Sequence, residues 1–97
     1  CLSDWSSDVC SSDLVMAVLQ EECAEVIQAI SKINRFGLHS EWQGVTNKQA
    51  LITEIGDVLA LIKVLLEDTD INISMDDINN AIDHKLNKLK VFLPYET

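Results

Sequence analysis

Two pairs of carboxylates repeat one spacing in this chain. Glu22 and Glu25 stand in the run Glu21-Glu22-Cys23-Ala24-Glu25, and Glu54 and Asp57 in the run Glu54-Ile55-Gly56-Asp57. Each pair is i, i+3, which on an α-helix places both side chains on one face, about 60° apart and within a turn of each other. Val26, Ile30 and Ile33 follow Glu22 round one side, and Val58, Ile62 and Leu65 follow Glu54 in the same way. Both pairs are therefore expected on the border of a packing face, and antiparallel packing of the two helices brings the borders together. Four carboxylates beside an apolar interior repel one another and lose hydration unless a cation lies between them. A divalent metal answers that need. Mg²⁺ takes carboxylate oxygens in octahedral geometry, keeps several waters and completes its shell with substrate phosphates, and Mn²⁺ is the expected substitute. A di-iron centre would call for Glu-x-x-His, and no histidine follows either pair.

Three helices are expected to position these acids. Apolar residues recur at 19, 23, 26, 27, 30 and 33, the spacing of one helix face, which predicts a helix from Val15 to Phe36. Gly37 supplies its stop, with Lys32 and Arg35 in the last turn where the helix dipole favours cations. Thr46-Asn47-Lys48-Gln49 has the form of a capping box and opens a second helix that runs to about Asp68. A third starts at Ser74 and runs through Ile78, Ile82, Leu86 and Leu89 to about Phe92, before Pro94 forbids much continuation. No strand signal appears, and the linker from Leu38 to Val45 is short, with Trp42 and Gly44. The fold class is all-α, a three-helix chain. Between Val58 and Leu66 only Lys63 is polar, so the second helix is apolar nearly all round and must be buried on more than one side. Two helices of one chain cannot surround it easily. Assembly into a helical bundle by oligomerisation, as a homodimer or homotetramer, is therefore expected.

Composition narrows the function. The 97 residues carry 16 acidic and 7 basic side chains, a net charge of −9, which disfavours a nucleic-acid partner, since such modules carry basic patches. With 47% apolar residues the chain is too hydrophobic for a disordered segment. Its longest apolar run, Val58 to Ile62, is far short of the ~20 residues that span a bilayer. No basic and apolar leader opens the sequence, and the expected compartment is the cytoplasm. Cys1 to Leu14, CLSDWSSDVCSSDL, has neither helix nor strand period and resembles the in-frame translation of a sequencing-library adapter. It is expected to be a non-native or disordered leader, ahead of a domain over 15–93 and a tail over 94–97. Without it Cys23 is the single cysteine, unable to form an internal disulfide and expected as a small core residue. A nucleophilic thiolate wants basic neighbours; Cys23 stands among Glu21, Glu22 and Glu25.

The E-x-x-E and E-x-x-D pairs, with 28 residues between them, resemble the motif of the MazG-like all-α nucleoside triphosphate pyrophosphohydrolases. Leu19-Gln20-Glu21-Glu22-Cys23-Ala24-Glu25, Glu54-Ile55-Gly56-Asp57-Val58-Leu59 and the Ser31-Lys32 to Arg35-Phe36-Gly37 end of the first helix are similar to that family's segments. The resemblance covers about residues 15–92. It implies hydrolysis of an NTP or dNTP to the monophosphate and pyrophosphate by Mg²⁺-assisted attack of water, with Glu22, Glu25, Glu54 and Asp57 as catalytic residues and metal ligands. It also implies that Lys85 and Lys88, i, i+3 on the third helix, face the triphosphate; a solvated, dipole-favourable helix end is the alternative. Trp42 either stacks on the base or anchors the loop. Glu21 is a candidate acceptor for the water's proton, or a solvated surface residue. His39 and His84 are read as structural or solvated. Asp68, Asp70, Asn72 and Ser74 imitate the start of a calcium loop, yet Ile73 replaces the required Gly and Asn79 the bidentate Glu, so this stretch is read as an interhelical turn. Two alternatives share the pattern: a phosphoribosyl-ATP pyrophosphohydrolase-like enzyme, and a non-catalytic helical interaction module whose acids would scatter to solvent.

Overall fold

A computed structural model describes residues 11–92, with α1 over Ser11–Phe36, β1 over Glu41–Trp42, β2 over Val45–Thr46, α2 over Asn47–Leu66 and α3 over Met75–Phe92. None of the described helices is long and apolar enough to cross a membrane. The three helices are those the periodicity predicts. Helix α1, however, begins at Ser11, four residues before Val15, with Asp13 in its first turn where the dipole favours an acid. Residues 11–14, set aside with the leader, are thus helical. The rest of that leader, and the tail beyond 93, lie outside the described residues.

Local chemistry explains where the helices stop and start. Gly37 ends α1 at φ +95°, and its N–H donates to Ile33 O at 2.8 Å, closing the left-handed stop. At the entry to α2 the Thr46 hydroxyl accepts from Gln49 N–H at 3.1 Å while Thr46 N–H donates to Gln49 Oε1 at 3.0 Å, the reciprocal capping box. Ser74 Oγ accepts from the N–H groups of Asp76 and Asp77 and caps α3.

The strand-free linker needs correction. β1 and β2 pair antiparallel, Glu41 with Thr46 and Trp42 with Val45. The two residues between them, Gln43 at φ 52° and Gly44 at φ 81°, have the positive dihedrals of a type I′ turn, whose twist matches that of a hairpin. Gly44 adopts its positive φ without penalty, while Gln43 holds the other left-handed position that the turn requires, one that side-chain-bearing residues adopt less readily.

The packed unit is the α1–α2 pair. Asn47 fixes its register. This residue, only 9% exposed, donates from Nδ2 to Gly37 O at 2.9 Å and Lys32 O at 3.4 Å. Its backbone N–H donates to Ser40 O, and that of Lys48 to Leu38 O, both at 2.9 Å. The start of α2 is thereby clasped to the end of α1 and the helices run antiparallel. Their facing rows are Leu19, Glu22, Val26, Ala29 and Ile33 on α1, and Leu51, Glu54, Val58, Leu61 and Leu65 on α2, all half-buried or buried. A second apolar row runs about 100° round from each seam: Met16, Cys23, Ile27 and Ile30 on α1, and Ile52, Ile55 and Leu59 on α2. By helix handedness both rows fall on the same side of the pair, and all seven residues are exposed. Cys23, expected in the core, therefore lies on this outer row. Ala29, 5% exposed, is the buried apolar residue among those described. Helix α3 shares no comparable seam with α1 or α2, and the Cα radius of gyration is 17.1 Å against about 13 Å for a compact chain of 100 residues.

Asn47→Ala leaves two helix-end carbonyls without their donor and is expected to cost about 2 kcal/mol in urea unfolding. Thr46→Ala, which removes the cap, costs about 1 kcal/mol, and Thr53→Ala on the exposed face of α2 changes stability by less than about 0.5 kcal/mol.

Candidate functional site

Heptad-like spacing places Glu22 and Glu54 inside the α1–α2 seam, with apolar neighbours a turn away on either side. This differs from the expected border position. Glu22 follows Leu19 and precedes Val26 on one row, and Glu54 stands between Leu51 and Val58, so both are half-buried and opposed when the helices pack antiparallel. Asp57, one turn beyond Glu54, turns out of the seam and is exposed. Carboxylate oxygens of Glu22, Glu54 and Asp57 all lie within 4.8 Å of one another. Three of the four acids singled out by spacing converge. Glu25 is outside this set and exposed, on the same side of the helix pair as Asp57, and its charge still reaches Glu22. Glu21 is exposed and lies outside the cluster as well.

The cluster strains its own electrostatics. The Glu22 pKa is raised from the ordinary 4.5, first by desolvation of its carboxyl in the seam. The charges of Asp57 and Glu54, a side-chain hydrogen bond shared with Glu54, and the charge of Glu25 push it further the same way. Every charge in that account is another carboxylate. Without a cation, desolvation and the neighbouring carboxylates favour the protonated form of Glu22 more than in a free side chain. With one, three oxygens from three side chains are already close enough to share it, and hard divalent cations prefer such donors.

Toward the loop end of the same side lies a cavity of about 550 Å³, within the range of small-molecule sites. Lys32 and Phe36 of α1, Glu41, Trp42 and Val45 of the hairpin, and Ala50 of α2 line it. Lys32 Nζ sits 6.0 Å from the centroid of the Trp42 ring, a cation–π distance, and the ring is 70% exposed. Lys32 is ten residues beyond Glu22, about 15 Å along the helix, while Ala50 is four residues before Glu54, about 6 Å. None of the clustered acids lines this cavity; acids and cavity lie apart along the same side of the helix pair. Asn47, at the base of the cavity, carried no signal as a site residue; the spacing of its neighbours is that of any capped helix start. Lys85 and Lys88 are exposed on α3, away from the α1–α2 seam. His39 and His84 are exposed too. The calcium-loop imitation is an interhelical turn in which Asp68 Oδ1 accepts from Asp70 N–H at 2.8 Å.

A raised pKa on Glu22 means that the folded protein binds a proton which the unfolded chain has already released. The stability it contributes is full below the unfolded value and is lost as pH rises through the folded one. In metal-free protein, thermal midpoints should fall as pH climbs above about 4.5, and Glu22→Gln should flatten that slope and raise the midpoint at neutral pH. A variant less stable than the parent at pH 7 would contradict a repulsive cluster.

Comparison with protein-family models matches residues 10–91 to the MazG nucleotide pyrophosphohydrolase domain. Neither a curated protein nor a solved structure gives a match. The matched span takes in the converging acids, the hairpin and nearly all of α3, and on it the chain belongs to the MazG nucleotide pyrophosphohydrolase domain family.

Proposed function

We propose that this protein hydrolyses a nucleoside triphosphate, NTP or dNTP, to the monophosphate and pyrophosphate, using a divalent cation, Mg²⁺ or in its place Mn²⁺. The observation that carries the proposal is the meeting of Glu22, Glu54 and Asp57 within 4.8 Å, half inside an apolar seam and opposed only by other carboxylates. Those three, with Glu25 at the open rim, would hold the metal. Once bound, a divalent cation there neutralises phosphate charge and lowers the pKa of a coordinated water.

The remaining tasks fall to the chain's own residues. Glu22 and Glu54, fixed in the seam by their apolar neighbours, set the distance between the two helices' ligands. Asp57 and Glu25, both exposed, mark the side of the helix pair from which the triphosphate approaches. Trp42 contacts the base in the cavity farther along that side, where an exposed indole offers a stacking surface and Lys32 steadies the ring from one side. Lys85 and Lys88 contribute cations to the phosphates. Glu21 stays at the surface. The exposed rows at Ile27, Ile30, Ile52, Ile55 and Leu59 support self-association as a homodimer or homotetramer, since a lone chain leaves that surface wet. A nucleic-acid partner and a membrane site are not part of this assignment, and the cytoplasm is the compartment proposed.

Pyrophosphate release measured over a panel of NTPs and dNTPs, with Mg²⁺ and with excess chelator, tests the assignment. Activity is expected only with metal, and Glu54→Gln is expected to lower kcat by about 10²–10³-fold, the several kcal/mol that a metal site supplies. Trp42→Ala is expected to raise KM about tenfold while kcat changes little, as for loss of a stacking contact worth 1–3 kcal/mol. Undiminished turnover in chelator, or by Glu54→Gln, overturns the assignment.

A further inference from the structure

The cavity beside the hairpin has at its base an amide that cannot turn over. Asn47 lines that cavity and is only 9% exposed. Its Nδ2 donates to two carbonyls, that of Gly37 at 2.9 Å and that of Lys32 at 3.4 Å. Exchanging nitrogen and oxygen would set Oδ1 against both carbonyl oxygens, so these partners fix the orientation of the amide. Oδ1 itself accepts no hydrogen bond among the described residues, and no fully buried side-chain oxygen among them lacks a partner. Oδ1 therefore opens onto free space, and the space beside Asn47 is the cavity.

A second acceptor stands nearby. Asn47 N–H donates to Ser40 O at 2.9 Å, and Glu41 pairs with Thr46 across the hairpin. These bonds bring Glu41 beside Asn47 along the cavity wall, and an ionised carboxylate accepts without donating. The cation of that wall, Lys32, is placed over the Trp42 ring, 6.0 Å from its centroid, where the electron-rich face attracts it. A flat group lying on the indole thus meets oxygen acceptors at its edge. An acceptor turned toward another acceptor is left unsatisfied, which costs more than a neutral contact.

Nucleobases divide on this point. Adenine, cytosine and guanine carry an exocyclic amino group, a donor, where thymine presents carbonyl oxygens, and uracil resembles thymine. The single ring N–H of uracil lies between two carbonyls, so bringing it to one acceptor sets a carbonyl oxygen near the other. We propose that the Trp42 cavity selects amino-bearing bases through the fixed acceptor Asn47 Oδ1 and the carboxylate of Glu41, and rejects uracil and thymine. One amide then holds the helix register with its nitrogen and reads the base with its oxygen. The proposal rests on the triphosphate reading for the nucleotide nature of the ligand, and it names the base.

Nucleosides test the cavity without phosphate, metal or turnover. In full-length chain carrying Trp5→Phe, Trp42 is the single indole, and its fluorescence is titrated with cytidine against uridine and with adenosine against inosine. Each pair exchanges one amino group for a carbonyl. The Kd is expected to be about tenfold lower for the amino member of each pair, as for one good contact to a base edge. Glu41→Gln replaces an acceptor by an amide that also donates, and it is expected to narrow both ratios by improving uridine and inosine. Asn47→Ala, with its helicity checked by circular dichroism, is expected to weaken cytidine more than uridine. Equal Kd within either pair, quenching by none of the four, or ratios unchanged in both variants overturns the proposal. Selective binding by a protein that cleaves no triphosphate would retire the enzymatic assignment and leave the selectivity in place; hydrolysis without selectivity would do the reverse.

Discussion

Two glutamates opposed within an apolar helix seam are the constraint on which the other features depend. A leucine at either position would pack better and repel nothing. Glu22 and Glu54 occupy those positions at a cost that shows in the raised pKa of Glu22, and the seam around them must supply enough apolar contact to hold them together. Register matters as much as strength. One helical turn of slippage, about 5.4 Å, would carry Glu54 past Glu22 and dissolve the cluster. The clasp of Asn47 on Gly37 and Lys32 carbonyls, the left-handed stop at Gly37 and the tight hairpin between them prevent that slip. The loop end of the molecule sets the geometry of acids two to three turns away.

The same elements shape the cavity. Because the hairpin folds back over the last turn of α1, Trp42 comes to lie near Lys32 and Phe36, on the side toward which Asp57 and Glu25 also turn. A ligand with a charged end and a flat, apolar end fits this polarity. The opposite side of the α1–α2 pair carries the exposed apolar rows of Met16, Cys23, Ile27 and Ile30 and of Ile52, Ile55 and Leu59. A chain of this size buries about 60–65% of its unfolded surface when compact, and here only Ala29 among the described apolar residues is enclosed. The surplus of exposed Ile and Leu is ordered along helices, not scattered, which is the pattern of surfaces that meet other surfaces.

Much of this was legible in the residues. Thr46 with Gln49, Ser74 with Asp77, and Gly37 after a periodic run are local signals, and local hydrogen bonds satisfy them wherever the chain goes. The paired i, i+3 acids likewise share a face on any helix. The hairpin leaves no periodic signal because its strands are two residues long; Gly44 between Trp42 and Val45 is the local sign of its turn. Cys23 and the acids were misplaced for one shared reason. Both α1 and α2 carry two apolar rows about 100° apart, and periodicity cannot tell which row meets the partner helix. Choosing the wrong balance between them puts Cys23 inside and moves Glu22 to a border. The start of α1 was obscured by the composition of Cys1 to Leu14, in which Asp13 and Leu14 continue the helix although their neighbours read as polar leader.

The sequence by itself determined three helices, their caps, and two acidic pairs each confined to one helix face, since all of these depend on contacts within four residues. The tertiary structure alone decided that Glu22, Glu54 and Asp57 meet while Glu25 stays at the rim. It also decided that Trp42 closes a cavity on the same side and that α3 stands apart from the pair. Those outcomes turn on which of two apolar rows faces which, and that choice belongs to the packing of whole helices, in which every residue along the seam shares.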